Sequence, residues 1–277
     1  MSLAMMLNVI SSISILFIIA VGLYIIFGLM GVVNLAHGEF IMLGAYASFI
    51  TVHLGMSPWL AFLLAPLLVG VVGFLTEKLL IRHLYGKIME SILATWGLAI
   101  IIRQVVEWVF GKGFKPITPP VDTSITILGA HYPLYRLIII CIAVLLAISL
   151  LIIEKKTNLG VIVKAVIANP SLAAALGVNV NKVYRMTFVV GAALAGFAGA
   201  IIAPIVSVYP LMGLSYVINA FLAVLVSGVG ALTGLAGSAS LLGGSESLLS
   251  FWLDPTWGSI CVVLLSVLVI RLRESKM

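Results

Sequence analysis

Charged residues are scarce in this chain of 277 residues, and their scarcity excludes an ordinary soluble fold. Only 9% of the residues are Asp, Glu, Lys or Arg, whereas 63% are hydrophobic; a soluble globular chain carries about 25% charged residues. Because the surface of a soluble protein needs polar cover, a water-soluble fold of this size could not hide so much apolar surface. A lipid bilayer removes that demand. The composition therefore predicts an integral membrane protein.

Cysteine is also scarce, and the common catalytic and nucleotide-binding motifs are missing. Cys141 and Cys261 lie in apolar runs and have neither a disulfide framework nor metal-ligand spacing. The chain has no GxxxxGK[ST] phosphate-binding loop, no GxSxG nucleophile elbow and no HExxH metal motif. A membrane enzyme is therefore disfavoured, and we expect no metal or other cofactor bound by this chain.

Long apolar runs fill most of the sequence. Fourteen of the twenty residues from Leu134 to Ile153 are Leu, Ile or Val, and each favours insertion by roughly 0.3–0.6 kcal/mol near the bilayer centre. The first run lacks the basic start of a cleaved signal peptide, so we expect it to span the membrane. The predicted spans are residues 8–30, 38–53, 58–76, 91–110, 134–153, 186–207, 216–230, 233–251 and 256–271. The expected fold is an all-α, polytopic helical bundle of 8–9 transmembrane segments in a single domain over residues 1–277.

Basic residues mark the loops that we expect on the cytoplasmic side. They concentrate in loop 77–90, in loop 154–185 and in the C-terminal tail, while segment 111–136 holds few of them and four prolines. Since Lys and Arg favour the cytoplasmic side, the C-terminus is expected there and segment 111–136 outside. Nine crossings then place the N-terminus outside, whereas eight with one re-entrant element place it inside. Because the basic residues lie beside membrane segments, the net charge of +6 does not indicate nucleic-acid binding.

Two glycine-rich stretches, residues 28–44 and residues 227–244, interrupt the helical pattern. Glycine at this density favours close helix packing or broken, re-entrant helices, and non-helical backbone at membrane depth survives only where protein or a water-filled path covers it. Paired interruptions in the two halves of a transporter indicate a substrate route. Both explanations stay open for the second stretch, whereas the first also carries polar residues.

Those polar residues form a candidate site for a translocation pathway or a gate. The site consists of Asn34, His37, Gly38 and Glu39. An ionisable residue inside a membrane usually faces a cavity or a partner, because burying it alone is costly. A surface turn between spans, or a structural pairing of Glu39 with His37 or a distant lysine, is the alternative. A second polar pair, Arg103 and Glu107, is four residues apart on a predicted helix and is expected to form a structural ion pair.

The longest polar segment, residues 154–185, contains the signals of a short cytoplasmic helix. An Asn-Pro-Ser sequence is typical of a helix start, alanines favour the helix, and a glycine is a natural stop. The residues concerned are Asn169, Pro170, Ser171, Ala173, Ala174, Gly177 and Val178. The pattern predicts a helix parallel to the membrane whose small alanines allow another protein to approach. An ordinary amphipathic connector fits the same residues equally well.

Three stretches resemble the permeases of branched-chain amino acid and urea ABC importers. They are GLMGVVNLAHGEFIMLGAY at 28–46, residues 160–199 with the sequence AVIANPSLAAALGVNVNKVYR at their centre, and LATWGLAIIIRQ at 93–104, which leans toward the urea-type branch. The resemblance follows nearly the whole chain in order. It implies a multi-pass protein of the bacterial inner membrane that transports branched-chain amino acids, or urea and short amides.

The resemblance also implies partners. A second permease, either a paralogue or an identical chain, would complete the pore. Two cytoplasmic ABC ATPase subunits would hydrolyse ATP with Mg, and a periplasmic binding protein would deliver solute. The helix from Asn169 to Val178 would be the coupling helix that docks into the ATPase. The rival interpretation is a stand-alone secondary transporter or channel, which would need ion-coupling groups in its spans; few are available there, namely Glu39, Arg103, Glu107 and Glu246.

Overall fold

The computed structural model describes residues 3–127, 130–228 and 232–274. Eleven α-helices lie within those residues, joined by short loops and by one 3₁₀ turn at Ile81–His83. The helices are α1 (Leu3–Met30), α2 (His37–His53), α3 (Pro58–Leu79), α4 (Ile88–Phe110), α5 (Leu134–Lys156), α6 (Asn158–Ala168), α7 (Pro170–Ala175), α8 (Val180–Ile202), α9 (Met212–Ser227), α10 (Leu232–Trp252) and α11 (Pro255–Glu274).

Each predicted span overlaps one of these helices, although those at 186–207 and 216–230 extend past the ends of α8 and α9, and the chain is a polytopic helical protein. Among the described residues, six helices are long and apolar enough to cross a membrane: α1, α3 with the turn that follows it, α4, α5, α8 and α11. Helices α2 and α9 are shorter, with 17 and 16 residues. Length and composition therefore support six spans, and the total of eight or nine stays a prediction.

Two short strands depart from the predicted all-α fold. Strands β1 (Ser124–Ile127) and β2 (Ala130–Pro133) pair antiparallel, with Ser124 opposite Pro133. The Tyr132 hydroxyl on β2 donates to the carbonyl oxygen of Leu7 at 3.0 Å. The hairpin therefore lies at the same face of the bundle as the beginning of α1. Sequence patterns missed it because the segment is short and lies among prolines.

Helix α8 is the centre of the bundle and packs against α1, α2 and α3. Its buried surface consists largely of small residues spaced four apart, Ala192 with Gly196 and Ala195 with Gly199. Gly44 of α2 meets the backbone of Gly196, and Gly199 meets the backbone of α2 at Ile41. Small residues let helix backbones approach closely in a membrane, so this pattern sets the core of the fold.

The two glycine-rich stretches behave differently. Residues 31–36 are not helical and separate α1 from α2. In the second stretch, α9 ends at Ser227 and Gly228 follows with a φ of 69°, while residues 229–231, where the predicted span 216–230 ends, lie outside the described residues. From Leu232 the chain runs as one helix to Trp252. Within residues 232–244 the glycines lie in a continuous helix and favour close packing, since a Cβ on Gly243 would lie 3.1 Å from the Cα of Ile13 on α1. A broken or re-entrant element in this stretch stays a prediction.

Candidate functional site

The non-helical stretch between α1 and α2 is buried and internally hydrogen-bonded. Gly31, with a φ of 61°, ends α1, and the chain then enters the bundle. The side-chain oxygen of Asn34 accepts a hydrogen bond from the Ala36 N–H at 3.1 Å. The Leu35 N–H donates to the hydroxyl oxygen of Thr95 on α4 at 3.1 Å. These hydrogen bonds give the backbone N–H groups of the stretch the acceptors that lipid does not offer. Non-helical backbone can therefore exist inside the protein at membrane depth.

His37 begins α2 and connects it to α1. Its side chain is fully buried, and its Nε2 donates to the carbonyl oxygen of Ile19 at 3.1 Å. With Nε2 as the donor, the neutral ring presents Nδ1 as an acceptor. Next to it, Gly38 lies against the backbone of Gly213 on α9, so α2 starts where three helices meet.

Glu39 is ion-paired with Arg103 of α4. Its Oε1 accepts from the Arg103 Nε at 3.2 Å and also from Nη2. The Glu39 side chain is 2% exposed and that of Arg103 is 22% exposed. The predicted pair of Arg103 with Glu107 is therefore wrong: Glu107 instead faces Lys112, at 4.0 Å. The spacing of four residues allowed a pair along α4, but the approach of α2 offers Arg103 a buried carboxylate that needs a cation.

Three buried polar atoms of this site have no hydrogen-bond partner among the described residues. They are Nδ2 of Asn34, Nδ1 of His37 and Oε2 of Glu39. Buried polar atoms nearly always have a hydrogen-bond partner. Three atoms without one within six positions indicate that the site holds more polar groups than its packing requires. The side chains diverge, since His37 faces α1 and Glu39 faces α4. We call this group of Asn34, His37, Gly38, Glu39 and Arg103 the polar junction.

The short helix predicted after Asn169 is confirmed as a structural element, while its cytoplasmic side stays a prediction. Helix α7 begins at Pro170, directly after Asn169, whose side-chain oxygen accepts from the Leu172 N–H at 2.9 Å. It stops before Gly177, which has a φ of 91°. Ala173 is buried against the bundle, while Ser171, Ala174 and the leucines on either side of them are exposed. The helix thus presents a small-residue surface with apolar edges, and its role in docking stays a prediction.

A second buried carboxylate, which the sequence did not indicate, lies at the end of α3. Glu77 is 1% exposed, and its Oε2 accepts from the Arg185 Nε on α8 at 2.9 Å. Its Oε1 accepts from the hydroxyl of Tyr85, in the connection between α3 and α4. Burial raises the pKa of Tyr85, and the bond to the Glu77 carboxylate raises it further, so the phenol keeps its proton and donates. We call Glu77, Tyr85 and Arg185 the Glu77 cluster.

A cavity of about 300 Å³ opens beside the hairpin, away from the polar junction. Its walls come from the segment before β1, from the start of α5 and from the chain after α8, and they include Asp122 and Arg136. Arg136 donates from Nη1 to the side-chain oxygen of Asn8 at 3.2 Å. In the part of the chain that the structure describes, no three His, Cys, Asp or Glu side chains gather where they could hold a metal ion.

Comparisons with known proteins agree over almost the whole chain. The family model described as "Branched-chain amino acid transport system / permease component" matches residues 5–270. The high-affinity branched-chain amino acid transport system permease protein LivH of Salmonella typhimurium is 26% identical over 271 residues, which cover 91% of this chain and 87% of the relative. A probable LivH of Methanocaldococcus jannaschii is 25% identical over 255 residues, covering 89% and 80%.

A solved structure shares the fold. The structure "PsaBC from Streptococcus pneumoniae in complex with Fab" aligns with a TM-score of 0.55 and covers 98% of this chain and 91% of the solved chain, at 13% identity. That similarity concerns the arrangement of helices alone. The family match over residues 5–270 shows that the chain belongs to the permease components of branched-chain amino acid transport systems.

Proposed function

We propose that this chain forms half of the translocation pore of an ABC importer for branched-chain amino acids. A second permease subunit, a paralogue or an identical chain, completes the pore in the inner membrane. Two cytoplasmic ABC ATPase subunits hydrolyse ATP with Mg, and a periplasmic binding protein delivers the solute. The C-terminus and α7 face the cytoplasm, and the hairpin faces the periplasm. The names of the relatives support branched-chain amino acids as the solute class, rather than urea or short amides.

The observation that carries the proposal is the polar junction inside a family-typical permease chain. It joins α2 to α4 by an ion pair, to α1 by the His37 hydrogen bond and to α9 by packing at Gly38, and it leaves three polar atoms unpartnered among the described residues. Such a junction has alternative partners available when the helices move, as a gate requires. Energy must come from elsewhere, because the sequence has no phosphate-binding loop.

Reconstitution tests this function directly. The complete complex, rebuilt in proteoliposomes with its binding protein, is expected to accumulate radiolabelled leucine only when ATP is present with the ATPase subunits. Competition by unlabelled isoleucine and valine, but not by urea or acetamide, is expected for a branched-chain amino acid importer. Competition by urea alone would move the solute assignment to the urea-type branch.

Substituting Ala174 with arginine is expected to weaken binding of the ATPase. Ala174 is exposed on α7, beside the buried Ala173. The long, charged side chain of arginine at this position would hold a docked protein surface away from α7. We expect the ATPase subunits that co-purify with the membrane complex to fall by about tenfold, since one central contact commonly carries more than about 1.4 kcal/mol of binding free energy. Quantitative gel analysis of affinity-purified complexes measures the ratio.

The matched control places the same side chain on the opposite face. Thr126 lies exposed on β1, and Thr126→Arg is expected to leave the ratio of ATPase to permease unchanged. Full ATPase assembly and full leucine uptake by the Ala174→Arg variant would contradict the proposed role of α7 in docking the ATPase.

A stand-alone secondary transporter or channel is the alternative class. It needs an ion-coupling carboxylate in the membrane, and Glu39 is already ion-paired with Arg103. Leucine uptake by the permease subunits alone, driven by a proton or sodium gradient, would favour that alternative over the importer.

A further inference from the structure

The Glu77 cluster connects the end of α3 and the chain just after it with the beginning of α8. Glu77 belongs to the last turn of α3, Arg185 lies 108 positions later on α8, and Tyr85 lies in the connection from α3 to α4. The rings of Tyr85 and Tyr184 also meet, with their centroids 4.9 Å apart. The end of α3, the entry to α4 and the beginning of α8 are therefore held by one buried carboxylate.

The cluster differs from the polar junction because both of its carboxylate oxygens are engaged. Oε1 of Glu77 accepts from Tyr85 and Oε2 accepts from Arg185. At the junction, by contrast, Oε2 of Glu39 has no partner among the described residues. The Glu77 side chain is 1% exposed and that of Arg185 is 37% exposed, so separating the two would leave the buried Glu77 carboxylate without its cation. Glu77 and Arg185 therefore move together, and the cluster acts as a rigid link and not as a ligand site.

On one side, the rigid link leads to α7. The Val178 N–H donates to the carbonyl oxygen of Ala173 at 3.0 Å, which fixes the chain leaving α7. The side-chain oxygen of Asn179 then accepts from the Lys182 N–H at 2.9 Å and begins α8. Arg185 follows in the second turn of α8. A displacement of α7 is thus transmitted through hydrogen-bonded backbone to the guanidinium that contacts Glu77.

On the other side, the rigid link leads to the polar junction. The connection after Tyr85 is short and hydrogen-bonded: the Lys87 N–H donates to the Leu84 carbonyl oxygen at 3.0 Å, and the Ser91 N–H donates to that of Lys87 at 3.0 Å. Helix α4 begins there and carries Arg103, the ion-pair partner of Glu39. Helix α4 has few buried residues, namely Ser91, Thr95, Ala99 and Val106. Two polar contacts attach it to the chain around the polar junction: Thr95 with Leu35, and Arg103 with Glu39.

We infer that Glu77 is the positioning residue that transmits movement of α7 to α4, and so links the docking helix to the polar junction. This inference rests on the proposed function, because it assigns to the ATPase the movement that the cluster transmits. Two ion pairs, Arg185 with Glu77 and Arg103 with Glu39, lie at the two ends of the transmitting path. Neither pair needs to contact solute for the path to work.

Substitution of Glu77 by glutamine in the complete complex tests the inference. Glutamine keeps the shape and one oxygen but loses the charge that holds Arg185. We expect ATPase subunits to co-purify normally and basal ATP hydrolysis to stay unchanged, while leucine taken up per ATP hydrolysed falls by about tenfold, within the range of measured coupling between distant sites. Stimulation of ATP hydrolysis by the leucine-loaded binding protein is expected to be lost in the same variant.

Tyr85→Phe is the milder second variant, because it removes one hydroxyl and leaves the charges intact. Its expected loss of coupling is about threefold, and combined with Glu77→Gln it is expected to add nothing, since both act through one carboxylate. Tyr135→Phe is the matched control. It also removes a buried tyrosine hydrogen bond, from the hydroxyl to the Ile201 carbonyl oxygen at 2.7 Å, but away from the cluster. It is expected to change the unfolding temperature without changing coupling.

The possible outcomes distinguish failure of this inference from failure of the proposed importer function. If wild-type complex fails to couple leucine uptake to ATP hydrolysis, the proposed function is contradicted. If wild-type complex couples normally and Glu77→Gln does too, only the transmitting role is contradicted. A lower unfolding temperature with unchanged coupling in Glu77→Gln and Tyr85→Phe would reduce the cluster to a purely structural contact.

Discussion

Replacing Arg103 with methionine is expected to lower the free energy of unfolding by about 3–5 kcal/mol, because it leaves the Glu39 carboxylate buried without a cation. Among the described residues, Arg103 supplies both hydrogen bonds that Glu39 accepts through its side chain. We also expect ATP-driven leucine uptake to fall by at least about tenfold, since α4 loses its main polar attachment to α2. Thermal unfolding of the purified complex and uptake by proteoliposomes measure the two effects.

A double variant distinguishes the effect of the Glu39–Arg103 ion pair on stability from its role in a gate. Glu39→Gln combined with Arg103→Met removes both charges and is expected to regain most of the lost stability, because neutral replacements of a buried ion pair are often tolerated. Uptake is expected to stay low if the pair works as a gate. Recovery of uptake together with stability would show that the pair only stabilises the fold.

Glu107→Gln is the control for this prediction. Glu107 also sits on α4, but its partner Lys112 is 86% exposed and 4.0 Å away. Exposed ion pairs contribute about 0–1 kcal/mol, so this variant is expected to unfold close to the wild-type temperature. Equal unfolding temperatures for Arg103→Met and Glu107→Gln would contradict the importance of the buried pair.

Local signals in the sequence predicted helix α7 well. Its boundaries depend on residues within the segment itself: Asn169 caps the first turn, Pro170 suits the first helical position, and Gly177 takes the positive φ that stops the helix. The spans were predictable for a similar reason, because a run of about 20 apolar residues is a property of the run and not of its neighbours.

The ion pairs were not predictable in the same way. The four-residue spacing indicated Glu107 as the ion-pair partner of Arg103. The actual partner, Glu39, is 64 positions away on another helix. Glu77 and Arg185 are 108 positions apart, and nothing in either local sequence indicates the other. Such pairs depend on how helices pack. The small residues spaced four apart along α8 were an available signal for that packing.

Substitution of Gly44 tests the packing of α2 on α8, and leucine at this position is expected to have the most severe effect on folding. A Cβ at this position would lie 2.6 Å from the Cα of Gly196 and 2.7 Å from its carbonyl carbon. Both atoms belong to backbone, so no flexible side chain can move aside. We expect Gly44→Ala to destabilise the protein by about 3 kcal/mol, at the upper end of the usual cost of overpacking, and Gly44→Leu to leave almost no folded protein.

Gly97 provides the matched control, since it also lies within an apolar helix, but a Cβ added to it would meet no other described part of the chain within 4 Å. Gly97→Ala is expected to raise stability slightly, by up to about 1 kcal/mol, because alanine is the better helix former. The monodisperse fraction of detergent-extracted protein in size-exclusion chromatography compares the variants. A normal monodisperse fraction for Gly44→Leu would mean that α2 and α8 do not pack through this glycine. Loss in Gly44→Leu with a normal result in Gly97→Ala attributes the damage to the backbone contact, because helix propensity alone would make both substitutions favourable.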